Sequence, residues 1–227
     1  MLSPHRANRE TWRRLMRSAL TIVDSLKDNG YGELDFRFGG GTVLMLRFDH
    51  RISKDIDLFF NDAQALNYLS PRLNDTAARI SQDYNESANT IKIVSTIGDI
   101  DFIVAGPVIR GAETTVLCFE DRTLVLDPVS EILAKKILYR ATLFKPRDVF
   151  DMATALICDP PSAMAALQAT RHVHGNLLQR LKDLSKLPAD TLFGDLVTCD
   201  GGERFGDGMI ERLVQAVSES GLEPDRP

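Results

Sequence analysis

The feature that most restricts how this chain can fold is a change of hydrophobic period at Asp127-Pro128. Ahead of it, β-branched and apolar residues alternate through 90–97, 100–105, 114–119 and 123–126, with Gly-Asp and Gly-Ala turns between some of the runs. A period of two places successive side chains on opposite faces of an extended strand. Beyond Pro128 the repeat lengthens to the helical one, predicting helices over 129–144, 146–158, 161–184 and 206–220, with breaks at Pro160-Pro161 and Gly201-Gly202. Asp127 suits an N-cap and Pro128 the first helical position. Strands followed by helices predict an α+β chain: an N-terminal mixed β-sheet with flanking helices over 1–127 and a C-terminal helical unit over 128–227.

The N-terminal part opens with an amphipathic helix, because Trp12, Leu15, Met16, Ala19, Leu20, Val23 and Leu26 recur at helical spacing until Asp28-Asn29-Gly30 stops them. A strand over 34–38, a tight turn at Gly39-Gly40-Gly41 and a helix over 42–48 that Thr42 can cap come next. Residues 55–60 read as another strand and 62–82 as helix, interrupted near Pro71. The last residues, 223–227, are expected to fray.

Composition narrows the class. With 44% hydrophobic and 26% charged residues the chain is neither disordered nor fibrous. No apolar run reaches the roughly 18 residues needed to span a bilayer, and no signal peptide is visible, so a cytoplasmic, non-membrane protein is expected. Three widely spaced cysteines, with no Cys-x-x-Cys pair, argue against zinc or dithiol chemistry. A net charge of −5 argues against a protein that coats nucleic acid non-specifically through a basic surface but leaves room for a local basic groove, and arginines cluster at 6, 9, 13, 14 and 17. A second basic stretch runs from Arg171 to Lys186; a solvated helix face explains either group.

The chemistry centres on Asp55 and Asp57. Two apart on a strand, both side chains leave one face with Cβ atoms about 6 to 7 Å apart. That spacing suits Mg²⁺, which takes one or two carboxylates plus phosphate oxygens and waters, and two such ions can serve an in-line displacement. Alone, an Asp-x-Asp is as readily a solvated strand edge. Upstream, Gly39-Gly40-Gly41-Thr42 lets backbone N–H groups meet a phosphate at a helix N-terminus, without the Gly-Lys-Ser/Thr ending of a P-loop. Asp101, on a strand among apolar neighbours, is the third carboxylate, its burial costly unless paired or metal-bound; Asp99 competes but reads as turn chemistry. In the helix from 129, Lys136 and Arg140 share a face. Arg147, Asp148 and Asp151 follow Pro146, with Arg147–Asp151 read as an ordinary salt bridge. His172 and His174 diverge as joint ligands, neither His5 nor His50 has a cysteine partner, and Gly201 to Gly208 reads as a plain loop.

Two segments together resemble a known family. Gly40-Gly41-Thr42-x-Leu44-x-Leu46 with His50-Arg51-x-Ser53-x-Asp55-Ile56-Asp57-Leu58-Phe59 is similar to the first motif of the AbiEii/AbiGii toxin group of nucleotidyltransferases, within the DNA polymerase β-like superfamily. Lys136, Arg140 and Arg147-Asp148-Val149-Phe150-Asp151 look like that group's helical motif. The resemblance implies a metal-dependent nucleotidyltransferase that moves NMP from an NTP to an acceptor hydroxyl, most readily the 3′ end of tRNA. It would act as the toxin of a toxin–antitoxin or abortive-infection system with a cognate antitoxin. It also implies Asp55 and Asp57 as metal ligands, which with Asp101 from the strand reading would hold two Mg²⁺ ions or Mn²⁺ in their place. Gly40, Gly41 and Thr42 with Arg51 or Ser53 would hold phosphates, and Lys136, Arg140 and Asp148 would complete the site. Two further readings stay open: transfer to a protein hydroxyl, and a catalytically silent binding module of the same fold.

Overall fold

The computed structural model describes residues 4–28, 30–188, 191, 192, 194 and 196–221, and for 4–9 and 28 the backbone alone. Residues 1–43, 52–106 and 114–127 form one compact unit, and 44–51, 107–113 and 128–227 form another. The segments 44–51 and 107–113, which the period change alone would leave with the strands, group with the helices.

The first unit opens with α1 (Pro4–Asp28), followed by β1 (Phe36–Gly39) and the start of α2 (Gly40–Phe48). Next come β2 (Ile56–Phe60) and the short helices α3 (Ala63–Leu66) and α4 (Asp75–Ile80). Then follow β3 (Tyr84–Glu86), β4 (Thr90–Ile93), β5 (Ile100–Val104), β6 (Thr115–Phe119) and β7 (Arg122–Leu126). The described strands make one seven-stranded mixed sheet in the order β3-β4-β5-β2-β1-β7-β6. Four of these neighbouring pairs are antiparallel and two are parallel, β2 beside β5 and β1 beside β7.

Strand alternation sorts the side chains. Phe38, Ile56, Leu58, Phe60, Ile91, Ile93, Ile100 and Phe102 are all buried. They meet the apolar stripe of α1, where Trp12 stacks on Phe38 with ring centroids 6.0 Å apart and lies 5.5 Å from Phe119. The intervening positions, Asp57, Lys92 and Asp101 among them, therefore share the opposite face.

The helix expected over 62–82 with an interruption near Pro71 does break there, over 70–74, leaving α3 with a 3-10 turn (Asn67–Leu69) on one side and α4, where Asn74 caps Thr76 and Ala77, on the other. Local signals fail elsewhere. The strand expected over 90–97 ends at Ile93, because Ser95 Oγ donates to Gly98 O at 2.6 Å and closes a turn. Asp127 does not cap the next helix: Pro128 takes the N-cap position.

The second unit contains the end of α2, then α5 (Val129–Arg140), α6 (Pro146–Cys158), α7 (Pro160–Ala169), α8 (His174–Leu184) and α9 (Met209–Ser220). The helix expected over 161–184 breaks at Thr170, whose hydroxyl donates back toward Ala166 O at 2.8 Å and precedes a 3-10 turn. On α5 the buried Glu131 accepts the N–H groups of Val108 and Ile109, at 2.9 and 2.8 Å, and faces Lys135 at 3.4 Å. That tie explains why 107–113 belongs with the helices.

Candidate active site

Register builds the charged cluster of the sheet unit. Gly39 on β1 faces Asp57 on β2, Asp57 faces Asp101 on β5, and Asp101 faces Lys92 on β4. Four strands thus present one transverse row, Gly39–Asp57–Asp101–Lys92. Asp55 and Asp99 immediately precede β2 and β5, where Asp99 N–H donates to Asp55 Oδ1 at 3.1 Å and Ile56 N–H to Asp99 O at 2.9 Å. Four carboxylates therefore crowd one corner of the sheet.

Lys92 answers part of that charge. Its Nζ donates to Asp101 Oδ2 at 2.7 Å and to Asp99 Oδ2 at 3.3 Å. Burial works against the ammonium, but the hydrogen bond to Asp101 and the charges of Asp101 and Asp99 outweigh it, raising the Lys92 pKa above that of an ordinary lysine. Asp101 also shifts upward, first because burial disfavours its charge; Lys92 lowers it, and the charges of Asp55 and Asp99 raise it. Asp101 Oδ1 is buried and has no hydrogen-bond partner among the described residues.

The three-carboxylate metal centre expected from Asp55, Asp57 and Asp101 is not assembled as such. Among the described residues no group of three or more His, Cys, Asp or Glu side chains is arranged to hold a metal ion. The physical reason is Lys92, which takes up Asp101 Oδ2 and Asp99 Oδ2. A Mg²⁺ ion arriving with a triphosphate needs only one or two protein carboxylates, and Asp57 stands in register with Asp101, whose Oδ1 has no partner among the described residues.

Gly40 opens α2 at φ +72°, a left-handed conformation that L side chains rarely adopt. A Cβ there would lie 1.8 Å from Asp57 Oδ2, so the Asp57 carboxylate rests on the bare Cα at the first turn of the helix. The early N–H groups of any helix lack intrahelical partners and favour negative charge, which keeps the backbone of Gly40 and Gly41 suited to a phosphate. Thr42 has a different task from the one expected. Its side chain is buried, with Oγ1 2.5 Å from Asp55 O and 3.1 Å from Ser53 Oγ, so the hydroxyl fastens the entry of β2 to α2.

The helical unit carries a second charged cluster. Lys136 Nζ on α5 donates to Asp148 Oδ1 at 2.6 Å and lies 3.1 Å from Asp151 Oδ2. Asp148 also accepts Lys145 N–H at 3.1 Å, closing the first turn of α6, and Arg140 stands 3.6 Å away. Arg51 meets Asp151 with two bonds, Nε to Oδ1 at 2.6 Å and an Nη to Oδ2 at 2.8 Å, while His50 Nε2–H donates to Oδ1 at 2.7 Å. Both carboxylates are fully buried. Burial opposes their charge, yet the cations prevail and hold both pKa values below the usual range, Asp151 through Arg51 and Lys136, Asp148 through Lys136 and Arg140.

Two expectations change here. Arg51 is bound to Asp151 rather than open to a phosphate. Asp151 pairs with Arg51, Lys136 and His50 instead of Arg147, which is exposed. The glycine loop read as plain also has a role, since Cys199 N–H donates to His50 O at 3.1 Å and a Cβ on Gly202 would lie 2.1 Å from that oxygen. His50 stacks on Phe150 at 5.6 Å, and Phe205 meets Phe150 edge-on. Of the α1 arginines, Arg13 pairs with Glu10 and Arg17 with Glu120, while the side chains of Arg6 and Arg9 lie outside the described residues.

Sequence reasoning missed Lys92, and it assigned no role to His50. A lysine at an alternating position of the Thr-Ile-Lys-Ile strand was the available signal for the first. For the second, it was the histidine directly before Arg51.

Residues 26–198 match the family described as Nucleotidyl transferase AbiEii toxin, Type IV TA system, so the chain is a nucleotidyltransferase. It belongs to the AbiEii family, toxins of type IV toxin–antitoxin systems. Among solved structures it is similar to MenT4, a nucleotidyltransferase toxin from Mycobacterium tuberculosis H37Rv, at 13% identity and a TM-score of 0.44, with 92% of this chain and 90% of that chain covered. No curated protein matches the chain. Among the described residues no helix is long and apolar enough to cross a membrane.

Proposed function

We propose that this chain transfers NMP from an NTP to the 3′ hydroxyl of an RNA acceptor, a tRNA, in a reaction that needs a divalent cation, Mg²⁺ or Mn²⁺ in its place. The observation that carries this reading is the row of Asp57 and Asp101 in register, with Gly40 bare against the Asp57 carboxylate at a helix N-terminus.

Asp55 and Asp57 would hold the cation, which supplies charge neutralisation for the triphosphate. The N–H groups of Gly40 and Gly41 receive phosphate oxygens, with the Ser53 hydroxyl beside them. The acceptor oxygen attacks the α-phosphorus, the new P–O bond forms as the bond to the β-phosphate bridge breaks, and pyrophosphate departs. Asp101 Oδ1, buried and without another partner among the described residues, receives the proton released by the hydroxyl. Burial, which raises the Asp101 pKa, suits a group that must accept a proton.

The helical unit favours RNA over protein as acceptor. Between Ile132 and Arg147 there is no exposed acid, while Tyr139, Lys145 and Arg147 are exposed and Arg140 half-exposed. Cations contact phosphates, and an aromatic face stacks on an unpaired base for about 1 to 3 kcal/mol. Asp148, 3.6 Å away, orients Arg140 for such a contact.

The test is incubation of the purified chain with each α-labelled NTP, Mg²⁺ and total tRNA, beside Asp57→Ala. Label on RNA that disappears in the variant is expected. Label on protein would replace the acceptor, and no label with any NTP would count against the whole reading.

A further inference from the structure

Two divalent ions are the ordinary complement of an in-line phosphoryl displacement, and they require carboxylates that can be shared between them. In this chain the second pair of carboxylates is already engaged. Asp101 Oδ2 and Asp99 Oδ2 both lie against Lys92 Nζ, at 2.7 and 3.3 Å. The lysine is not a passing surface contact: β4 and β5 pair with Lys92 directly opposite Asp101, and its side chain is only about a third exposed, 35%. Its ammonium is a compact charge with three donors and can neutralise carboxylates, as a metal ion does, without the metal's coordination shell.

Charge counting points the same way. Asp55, Asp57, Asp99 and Asp101 supply four negative charges in one corner of the sheet, and Lys92 offsets one of them. A second divalent ion on Asp99 and Asp101 would have to displace the ammonium or approach it. An ammonium and a divalent ion sharing Asp101 repel each other in a poorly solvated place.

We propose that Lys92 stands where a second divalent cation would otherwise lie and positions Asp101 with its ammonium, so that the carboxylate corner of this chain takes one divalent ion, on Asp55 and Asp57. The inference rests on the metal-dependent reading above and departs from the two-ion expectation. Lys92 is then a positioning residue: it keeps Asp101 Oδ2 engaged and leaves Oδ1 for the acceptor's proton.

Manganese alone is the probe, titrated into the full chain and counted by the loss of the free-ion electron paramagnetic resonance signal. One ion is expected on the native chain and on Lys92→Arg, two on Lys92→Met, and none on Asp57→Ala. Two ions on the native chain, or one on a folded Lys92→Met, would overturn the role of Lys92 while leaving the metal reading intact. No manganese on any variant would overturn both. If Lys92→Met does not fold, the native count decides by itself, because two ions there are incompatible with an ammonium in the second place.

Discussion

Gly40→Ala separates backbone strain from damage to the reaction centre. At φ +72° an alanine costs about 1 to 2 kcal/mol as a left-handed residue, a loss of a few degrees in Tm for a chain of this size. The added Cβ would also sit 1.8 Å from Asp57 Oδ2 and 2.4 Å from Cγ, where ordinary contact begins roughly 1.5 Å further out. The carboxylate must move by about that much. A displacement of about 1 Å in a reacting constellation costs on the order of 100-fold in rate. Gly30→Ala is the control, since Gly30 has φ +86° but nothing within 4 Å of a new Cβ. Urea unfolding should show the backbone loss in both variants, with the cost of the displaced carboxylate added in Gly40→Ala. Label transfer and growth arrest on expression should collapse about 100-fold only for Gly40→Ala. Transfer within tenfold of the native rate for folded Gly40→Ala would refute the reasoning that the bare Cα exists to seat Asp57.

Two further outcomes follow from the buried carboxylates of the helical unit. Asp151→Asn removes the charge that Arg51 and Lys136 share, both nearly buried, taking that carboxylate from Arg51 and leaving Lys136 with Asp148 alone, so urea unfolding should lose about 3 to 5 kcal/mol; a loss under about 1 kcal/mol would show that the cluster relaxes to solvent. Asp148 and Asp151 both have folded pKa values below their unfolded ones, so their stabilisation is complete above the unfolded carboxylate range, near about 3.9, and fades as pH falls through the lower folded values. Asp101, shifted upward, has the opposite sign: its contribution is favourable only below the unfolded range and is lost as pH rises through its folded value. Urea midpoints measured from pH 7 to pH 2 should fall toward acid, less so in Asp151→Asn. Parallel curves for the two proteins would contradict the assignment.

Local rules carried much of the chain. The stop at Asp28-Asn29-Gly30, with Asn29 itself outside the described residues, and the helix over Pro146–Cys158 were legible because side-chain spacing and a terminal proline or glycine act within a turn or two. Strand β3 was missed: with the pattern Tyr-Asn-Glu it has no buried alternation and exists through its pairing with β4. The break at Thr170 was missed for a related reason, since no proline or glycine marks it and the deciding interaction is a back-bond of a threonine hydroxyl.

By itself the sequence determined that the strand-rich part precedes the helical part and that a glycine run enters a helix ahead of an Asp-x-Asp. Both depend on a periodicity or spacing that the backbone enforces locally. The strand expected from Asp55 begins only at Ile56, so of the two aspartates Asp57 alone lies on β2. Only the tertiary structure decided what those residues meet. The order β4-β5-β2-β1 brings Lys92 to Asp101 and Asp101 to Asp57, and residues about a hundred positions apart, His50 and Arg51 with Asp151, share one buried carboxylate. Partners of that kind are set by strand order and by the need to pair every buried charge, and neither is written in the spacing of neighbouring residues.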